Sequence, residues 1–316
     1  MGIDNAGKTS ILTLMKSKFD IPAVRGLKPT LKVERSSFRF LDHNIYQNDF
    51  GGQKSYRDEY MNNKDRYLSA VDLLYYVIDT QDSLRFDESI EYFNEIIKYF
   101  EQAKMNIPIV VFFHKVDPKL AEDPTIINNM NSLREKISPF AYKFHIKEFI
   151  TNIFEINTII EAFSAGISML YSQTEAIQRF ILDIVEKMEN VMALLIFEQN
   201  GIELGSYFLE HITLMMRKKI LTLYEIAQRR ILDQNLNTYE FSDRLDAFTK
   251  ISGVIQSFEI EGWKFFILLV LEEHSEDVII EQFNFFESMY DEMKQIMATL
   301  LVDDPDKARM LNPNGK

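Results

Sequence analysis

The chain has 316 residues, enough for about two domains, and 46% apolar residues with only 11 Gly and 8 Pro exclude a disordered or fibrous protein. The lack of cysteine excludes a disulfide framework, a thiolate metal site and a cysteine nucleophile, and it suits a reducing cytoplasm. A net charge of −13 excludes a basic surface for nucleic acid, and no apolar run approaches the ~20 residues that span a bilayer, so we expect a cytoplasmic protein without a membrane span.

The first half of the chain alternates helical and extended patterns. The patterning predicts helices over 8–18, 83–102 and 157–171, a hairpin of strands 37–41 and 45–49 around His43-Asn44, and buried strands over 71–79, 107–113 and 142–150. Near-continuous apolar strands separated by helices indicate an α/β domain whose mainly parallel sheet has helices on both faces.

The second half has a different order of elements. It predicts a helix over 171–184, a hairpin of 193–197 and 202–208, a helix, a hairpin of 252–260 and 263–271, and a last helix. Asn200-Gly201 is typical of a type I′ turn, and Glu261-Gly262 turns the second hairpin. Core-facing stripes mark the two later helices: Ile212, Met216, Ile220, Leu223, Ala227 and Ile231, then Ile279, Phe283, Phe286, Tyr290, Met293, Met297 and Leu300. We therefore expect domains over 1–172 and 173–302, the second an α+β module, and a disordered tail over 303–316.

The segment Gly2-Ile3-Asp4-Asn5-Ala6-Gly7-Lys8-Thr9 fits the pattern GxxxxGK[ST] and opens a predicted helix. In such a loop (the P-loop below), backbone N–H groups and the helix N-terminus bind phosphate, and Ser10 follows in the helix. Lys8 can reach the terminal phosphates and the Thr9 hydroxyl can bind Mg²⁺. The alternative is a glycine-rich turn that only caps a helix.

A buried strand normally precedes such a loop, but here Met1 directly precedes Gly2. The first strand of the sheet is therefore missing from this sequence. We expect that residues lie upstream, because a sheet without that strand leaves backbone groups unpaired.

Asp49-Phe50-Gly51-Gly52-Gln53 is a DxxG sequence followed by Gln at the end of a predicted strand. Such an Asp can hold Mg²⁺ through water, the Gly52 N–H can contact a terminal phosphate, and Gln53 can orient an attacking water. Thr30 can supply a second hydroxyl to Mg²⁺. We expect segments 22–30 and 53–66 to be loops that respond to the nucleotide.

His114-Lys115-Val116-Asp117 follows a buried strand and differs from NKxD only at its first residue. The Asp117 carboxylate can pair with the N1–H and amino group of guanine, which adenine does not offer, and the Lys115 stem can cover the base. The His114 imidazole can donate or accept a hydrogen bond through one ring nitrogen, but it cannot place a donor and an acceptor side by side as the Asn amide does. Thr151-Asn152-Ile153, after the next strand, can close over the base.

With these motifs in order, the chain resembles a Ras-superfamily small GTPase. His in HKxD is typical of Rag/Gtr GTPases, to which 33–41 (VERSSFRFL) and 71–79 (VDLLYYVID) are also similar, and Gly51-Gly52-Gln53 is nearer the A/B type. Asp4-Asn5-Ala6 is more similar to the Arf family, and Asn48 stands where Trp is common.

The resemblance implies a P-loop GTPase domain followed by an α+β roadblock/longin-like domain. It implies GTP/GDP and Mg²⁺ as ligands, and dimerisation with a Rag-like GTPase through the second domain. It also implies exchange factors, GTPase-activating proteins, a membrane-bound scaffold that recruits the protein peripherally, and a role in nutrient signalling.

Two other functions stay open from the residues alone. The chain could be a dimerising scaffold whose nucleotide is structural or absent, although Lys8, Thr9, Asp49 and Gln53 fill all the chemical roles of a working site. It could also be a P-loop ATPase or nucleoside kinase, which would need an adenine pocket in place of Asp117 or an arginine-rich lid.

Overall fold

The structure is a computed structural model that describes residues 1–16, 21–40, 43–171, 173–260, 262–273 and 276–301. The chain divides into two compact units. The first contains Met1–Arg39 and Asn44–Leu170, and the second contains the remainder of the chain. No helix among the described residues is both long and apolar enough to cross a bilayer.

The first unit contains five strands and six α-helices within the described residues. In chain order they are α1 (Lys8–Lys16), β1 (Val33–Phe40), β2 (His43–Phe50), α2 (Lys54–Asn62), α3 (Lys64–Leu68), β3 (Leu74–Asp79), α4 (Phe86–Gln102), β4 (Ile109–His114), α5 (Pro124–Ile137), β5 (Ile146–Thr151) and α6 (Ile156–Ser168). Strands β3, β4 and β5 form a three-stranded parallel sheet in that order, while β1 and β2 form a separate two-stranded sheet.

Helices cover both faces of the parallel sheet, as the sequence predicts. Alternate residues of β4 divide between two apolar clusters. Val111 and Phe113 lie in a cluster with residues of α4 and α5, while Val110 and Phe112 lie in a cluster with residues of α1 and α6. This alternation explains why every residue of β4 is buried.

The start of the chain lies against β3. Among the described residues no strand precedes the P-loop, but the Val77 amide donates to the Met1 carbonyl at 3.0 Å, so residue 1 lies against β3. Gly2 follows with φ +132°, and a Cβ there would come within 2.3 Å of the Val77 carbonyl oxygen. The close approach to β3 therefore requires glycine at position 2.

Several predictions for this unit are wrong in detail. His43-Asn44 belongs to β2 and does not form the turn. The segment predicted as a loop over 53–66 is mostly helical, as α2 and α3. The strand predicted from residue 142 starts at Ile146 because a 3-10 turn and further turns occupy 138–144. Helix α5 was not predicted, although Asp123 caps it and Pro124 is its first residue.

The second unit is an antiparallel sheet flanked by helices. Its elements are α7 (Gln173–Val185), β6 (Val191–Glu198), β7 (Glu203–Phe208), α8 (Leu214–Gln234), β8 (Thr238–Arg244), β9 (Lys250–Ile260), β10 (Trp263–Glu272), α9 (Glu276–Ser288) and α10 (Tyr290–Leu301). The strand order is β7-β6-β10-β9-β8, with neighbours antiparallel. Helix α8 packs its buried Ile220, Tyr224, Ala227 and Ile231 on one face.

This order matches the predicted helix, hairpin, helix, hairpin and helix, with two differences. Strand β8 was not predicted, because five of its seven residues are polar or charged and it lies at the sheet edge. The last helix is interrupted at Met289 to give α9 and α10, with Phe286, Met293 and Met297 of the predicted stripe buried. The predicted tail 303–316 and Glu261 lie outside the described residues.

The first hairpin has a longer loop than the predicted type I′ turn. Gly201 has φ +81°, and its amide donates to the Glu198 carbonyl at 2.9 Å, while the Glu198 amide donates to the Ile202 carbonyl at 3.0 Å. Asn200, unlike Gly201, does not have a positive φ, which a type I′ turn requires at both central residues. The buried Glu198 carboxylate accepts hydrogen bonds from the Asn200 and Ile202 amides at 2.7 and 3.2 Å.

We expect Glu198 to make the second unit less stable as pH rises. Burial raises the pKa of Glu198 from 4.5 to about 7, so between these values only the unfolded chain loses the proton. The free energy of unfolding therefore falls by about 3 kcal/mol as the pH rises from below 4.5 to above 7. Glu198→Gln should remove this slope, measured as urea unfolding followed by Trp263, the only Trp of the chain, which lies in the same sheet.

Glu240→Gln is the matched control, because Glu240 is exposed on β8. This variant should keep the pH profile of the parent protein. Parallel profiles for Glu198→Gln and the parent protein would show that the Glu198 carboxyl does not set the slope.

Candidate functional site

The P-loop forms a tight turn at the N-terminus of α1. Asn5 and Gly7 have positive φ values of 61° and 98°, and the Gly7 carbonyl accepts the first helical hydrogen bond from the Ile11 amide at 3.1 Å. A Cβ at Gly7 would lie 2.5 Å from Cδ2 of His114, so only glycine fits against that ring. Ala6 is fully buried, and Asn5 and Ser10 line a cavity in front of the loop.

Lys8 is a buried cation within this loop. Its Nζ donates to the Ile3 carbonyl at 2.7 Å, which fixes the ammonium group across the turn. Burial lowers the pKa of Lys8 to about 8, against the opposing influence of the nearby Asp49 and Asp4 carboxylates. A buried ammonium group at a helix N-terminus suits an anionic ligand such as phosphate.

Three oxygen-bearing side chains meet beside Lys8, from three separate parts of the chain. Thr9 Oγ1 lies 2.6 Å from Thr30 Oγ1 and donates to Asp49 Oδ2 at 2.7 Å, and Thr30 lies 3.1 Å from the same oxygen. Asp49 Oδ1 is buried and has no hydrogen-bond partner within the part of the chain that the structure describes. Hard oxygen donors with an unpartnered carboxylate oxygen fit Mg²⁺.

The DxxGQ segment lies directly on the P-loop. The Asp4 amide donates to the Gly52 carbonyl at 3.0 Å, and a Cβ at Gly52 would come within 2.2 Å of the Asp4 nitrogen. Gln53 directly precedes α2, its carbonyl accepts from the Tyr56 and Arg57 amides, and its side chain is exposed at the cavity. The side-chain amide of Gln53 is therefore accessible to a ligand in the cavity.

His114 lies behind the P-loop. Its buried ring packs on Gly7, and its Nδ1 lies 2.9 Å from Thr151 Oγ1 at the end of β5. Burial lowers the pKa of His114 to about 4, so the imidazole is neutral at physiological pH. Its contacts therefore hold the P-loop, β4 and β5 together.

Lys115 and Asp117 follow His114 after β4; Lys115 lines the cavity and Asp117 does not. Lys115 adopts φ +64° and its Nζ donates to Asp79 Oδ2 at 2.7 Å. Asp117 is half-buried, and among the described residues its carboxylate has no hydrogen bond or ion pair. The fold therefore does not engage this carboxylate within the described residues.

The segment after β5 is fixed to the same region. Asn152 is buried, and its Nδ2 donates to the Val116 carbonyl at 3.2 Å while its Oδ1 accepts from the Phe154 amide at 2.8 Å. Ile153, between them, is half-buried. Thr151 and Asn152 therefore support the loops around the site through the fold, and neither lines the cavity.

A chain of ion pairs that the sequence analysis did not identify runs beside the P-loop. Arg85 pairs with Asp4 at 2.7 Å and with Glu88 at 2.8 Å, and Glu88 also pairs with Arg57. Arg57 Nε donates to the Gly52 carbonyl at 2.9 Å. Hydrogen bonds from Arg85 hold the pKa of both carboxyls, Asp4 and Glu88, below their usual values. Only the i, i+3 spacing of Arg85 and Glu88 was visible in the sequence.

A cavity of about 320 Å³ in the first unit lies in front of the P-loop, and Asp49, His114 and Asp117 are not among its lining residues. Its lining comes from the P-loop, the segment before β1, the DxxGQ segment and the strand end after β4. The lining residues are Asp4, Asn5, Gly7, Lys8, Thr9, Ser10, Leu27, Lys28, Pro29, Thr30, Gly52, Gln53 and Lys115.

Comparison with known proteins finds similarity to several G proteins. The sequence model of the Gtr1/RagA G protein conserved region matches residues 1–218. ADP-ribosylation factor-like protein 3 of Chlamydomonas reinhardtii is 37% identical over 117 residues, which are 37% of this chain and 60% of that protein. ADP-ribosylation factor-like protein 3 of Caenorhabditis elegans is 32% identical over 139 residues, which are 43% of this chain and 71% of that protein.

A solved structure, described as the Arl6 BBS3 small GTPase from Trypanosoma brucei with bound nucleotide analogue GppNp, aligns with 52% of this chain and 90% of that chain. Its sequence identity is 21% and its TM-score is 0.40. The family match is the decisive finding, because it extends over more than half of the chain and starts at the P-loop. The chain belongs to the Gtr1/RagA family of Ras-superfamily G proteins and is also similar to ADP-ribosylation factor-like proteins.

Proposed function

We propose that this chain is a guanine-nucleotide switch that binds GTP with Mg²⁺ and hydrolyses it slowly. The observation that carries the proposal is the meeting of Thr9, Thr30 and Asp49 within 3.1 Å in front of the buried Lys8. These residues come from the P-loop, the segment before β1 and the end of β2. Such a convergence of an ammonium group and hard oxygen donors suits a metal–phosphate ligand better than a structural role.

Each residue around the proposed phosphate site has its own role. The P-loop amides and Lys8 bind the phosphate oxygens, and Gly52 and Gln53 lie where they can contact the terminal phosphate and orient a water. Thr9 and Thr30 would hold Mg²⁺ directly and Asp49 through water, and the ion would supply charge neutralisation between the phosphates. Without an added arginine we expect slow turnover, on the order of 10⁻⁴ per second.

Base selectivity rests in this proposal on Asp117 and Lys115. The unpaired Asp117 carboxylate accepts from two guanine N–H groups, and Lys115, fixed by Asp79, covers the base. His114 supports the P-loop from behind and does not replace the Asn that would contact the base. Thr151 and Asn152 would support the base site through their contacts with His114 and Val116, and Ile153 would close over the base.

The wider role follows from the family. We propose that the second unit is roadblock/longin-like, because it has the expected order of helices around an antiparallel sheet, and that it dimerises with a Rag-like GTPase. Exchange factors, GTPase-activating proteins and a membrane-bound scaffold would then act on a cytoplasmic protein in nutrient or growth signalling. The other candidate is a nucleotide-independent dimerising scaffold. The amount of nucleotide bound to the purified chain distinguishes the two candidates.

Nucleotide release tests the proposal directly. The full chain is purified with Mg²⁺ and denatured, and the supernatant is separated by chromatography. Stoichiometric GDP or GTP supports the switch, and a dimer without nucleotide that also fails to bind added GTP supports the scaffold. Bound adenine nucleotide would contradict the role of Asp117.

Gln53→Leu should slow GTP hydrolysis by at least tenfold and leave GTP affinity within about twofold, because it removes the group that orients water and keeps the phosphate contacts. Single-turnover hydrolysis and equilibrium binding separate the two effects. Gln102→Leu, at the exposed end of α4 and outside the cavity, is a matched control, and its turnover should stay close to that of the parent protein. Unchanged turnover in Gln53→Leu would remove Gln53 from the catalytic role.

Asp117→Ala should lower GTP affinity by about 100-fold and leave ATP affinity unchanged, since hydrogen bonds to a charged group contribute about 1.5–3 kcal/mol each. Competition binding with GTP and ATP measures the selectivity. Asp72→Ala, at an exposed position before β3, serves as the control. If GTP and ATP affinity fell equally in Asp117→Ala, the carboxylate would not determine base selectivity.

A further inference from the structure

Five residues at the P-loop form a closed circuit of contacts. The Asp4 amide donates to the Gly52 carbonyl, which also accepts from Arg57 Nε at 2.9 Å. Arg57 pairs with Glu88, Glu88 pairs with Arg85, and Arg85 returns to the Asp4 carboxylate at 2.7 Å. The circuit therefore joins the P-loop, the DxxGQ segment, α2 and the start of α4.

Asp4 is a carboxylate inside a loop that binds anions. It lines the cavity with Lys8 and Thr9, and its backbone contacts Gly52. In the proposed function, Gly52 and Gln53 face the terminal phosphate, so Asp4 lies on the side of the cavity where GTP carries one phosphate more than GDP. An unpaired negative charge there opposes GTP more than GDP.

Arg85 is placed to offset that charge. Its guanidinium approaches both carboxylate oxygens of Asp4, at 2.7 and 3.3 Å, and Glu88 holds the guanidinium from the other side. Glu88 is in turn held by the buried Arg57. Two arginines and two carboxylates thus balance in charge beside the phosphate site.

We propose that Arg85 is a positioning residue for the P-loop that neutralises Asp4, and that this pairing determines the preference of the site for GTP over GDP. The inference rests on the proposed nucleotide binding. Its physical basis is that Arg85 pairs with the Asp4 carboxylate and cancels its charge, while Arg57, which Glu88 holds, donates directly to the Gly52 carbonyl beside the same loop.

Arg85→Gln should lower GTP affinity by about tenfold and GDP affinity by less than about threefold, because the pair is partly exposed and solvent weakens the unbalanced charge. Arg85→Lys keeps a positive charge and should retain most of the GTP affinity. Adding Asp4→Asn to Arg85→Gln removes the unbalanced charge and should recover about tenfold in GTP affinity relative to the single variant.

The measurement is equilibrium binding of GTP and GDP to the purified full chain with Mg²⁺, at low and high salt. Arg134→Gln is the matched control: Arg134 pairs with Glu148 at 3.1 Å outside the cavity, and its loss should not change the GTP/GDP ratio. The selectivity defect of Arg85→Gln should shrink at high salt because the effect is electrostatic.

The outcomes separate the inference from the proposed function. A parent protein that binds neither nucleotide contradicts the proposed function itself. If the parent protein binds both, equal losses of GTP and GDP affinity in Arg85→Gln, or no recovery with Asp4→Asn, show that the ion pair only stabilises the fold. If Arg85→Gln fails to fold, Arg85→Lys decides, because a selectivity loss there as large as tenfold contradicts a charge-based role.

Discussion

The parallel register of β3, β4 and β5 is the constraint on which the site depends. Asp79, His114 and Thr151 are in register with one another across the three strands, so the strands end in one row. Lys115 pairs with Asp79 of this row, while His114 and Thr151 bind each other. A ligand site at the carboxyl ends of parallel strands follows from this register, because all three strands release their loops on the same edge.

His114 illustrates how the row supports the P-loop. The sequence suggested a weakened base contact, whereas the ring lies behind Gly7 and binds Thr151. A neutral, buried imidazole is larger than an amide and fills the space that glycine at position 7 leaves. The His114 ring thus packs beneath the P-loop, and the loop and the ring constrain each other's size.

The sequence predicted what local patterns encode. The apolar run of β4 and the order of the P-loop, DxxGQ and HKxD motifs were readable because each depends on neighbours in the chain. Helix α2 and strand β8 were not, since their largely polar sequences adopt structure only through tertiary packing. The Asp4–Arg85 contact joins residues 81 positions apart, and no periodicity reports such a pair.

The prediction of a type I′ turn in the first hairpin was wrong for a different reason. Asn200-Gly201 favours a two-residue turn, but the Glu198 carboxylate captures the amides of Asn200 and Ile202, and the loop gains one residue. A side chain buried by the sheet thus overrode the local turn preference.

The closed form of the contact circuit has a thermodynamic consequence. In an open series of contacts, breaking each link costs its own free energy, and the costs add. In a circuit, the loss of one contact lets all five residues relax. The loss of a second contact therefore costs less free energy than it would alone. Double-mutant cycles across residues that never touch, such as Asp4 and Arg57, should therefore give a coupling energy different from zero.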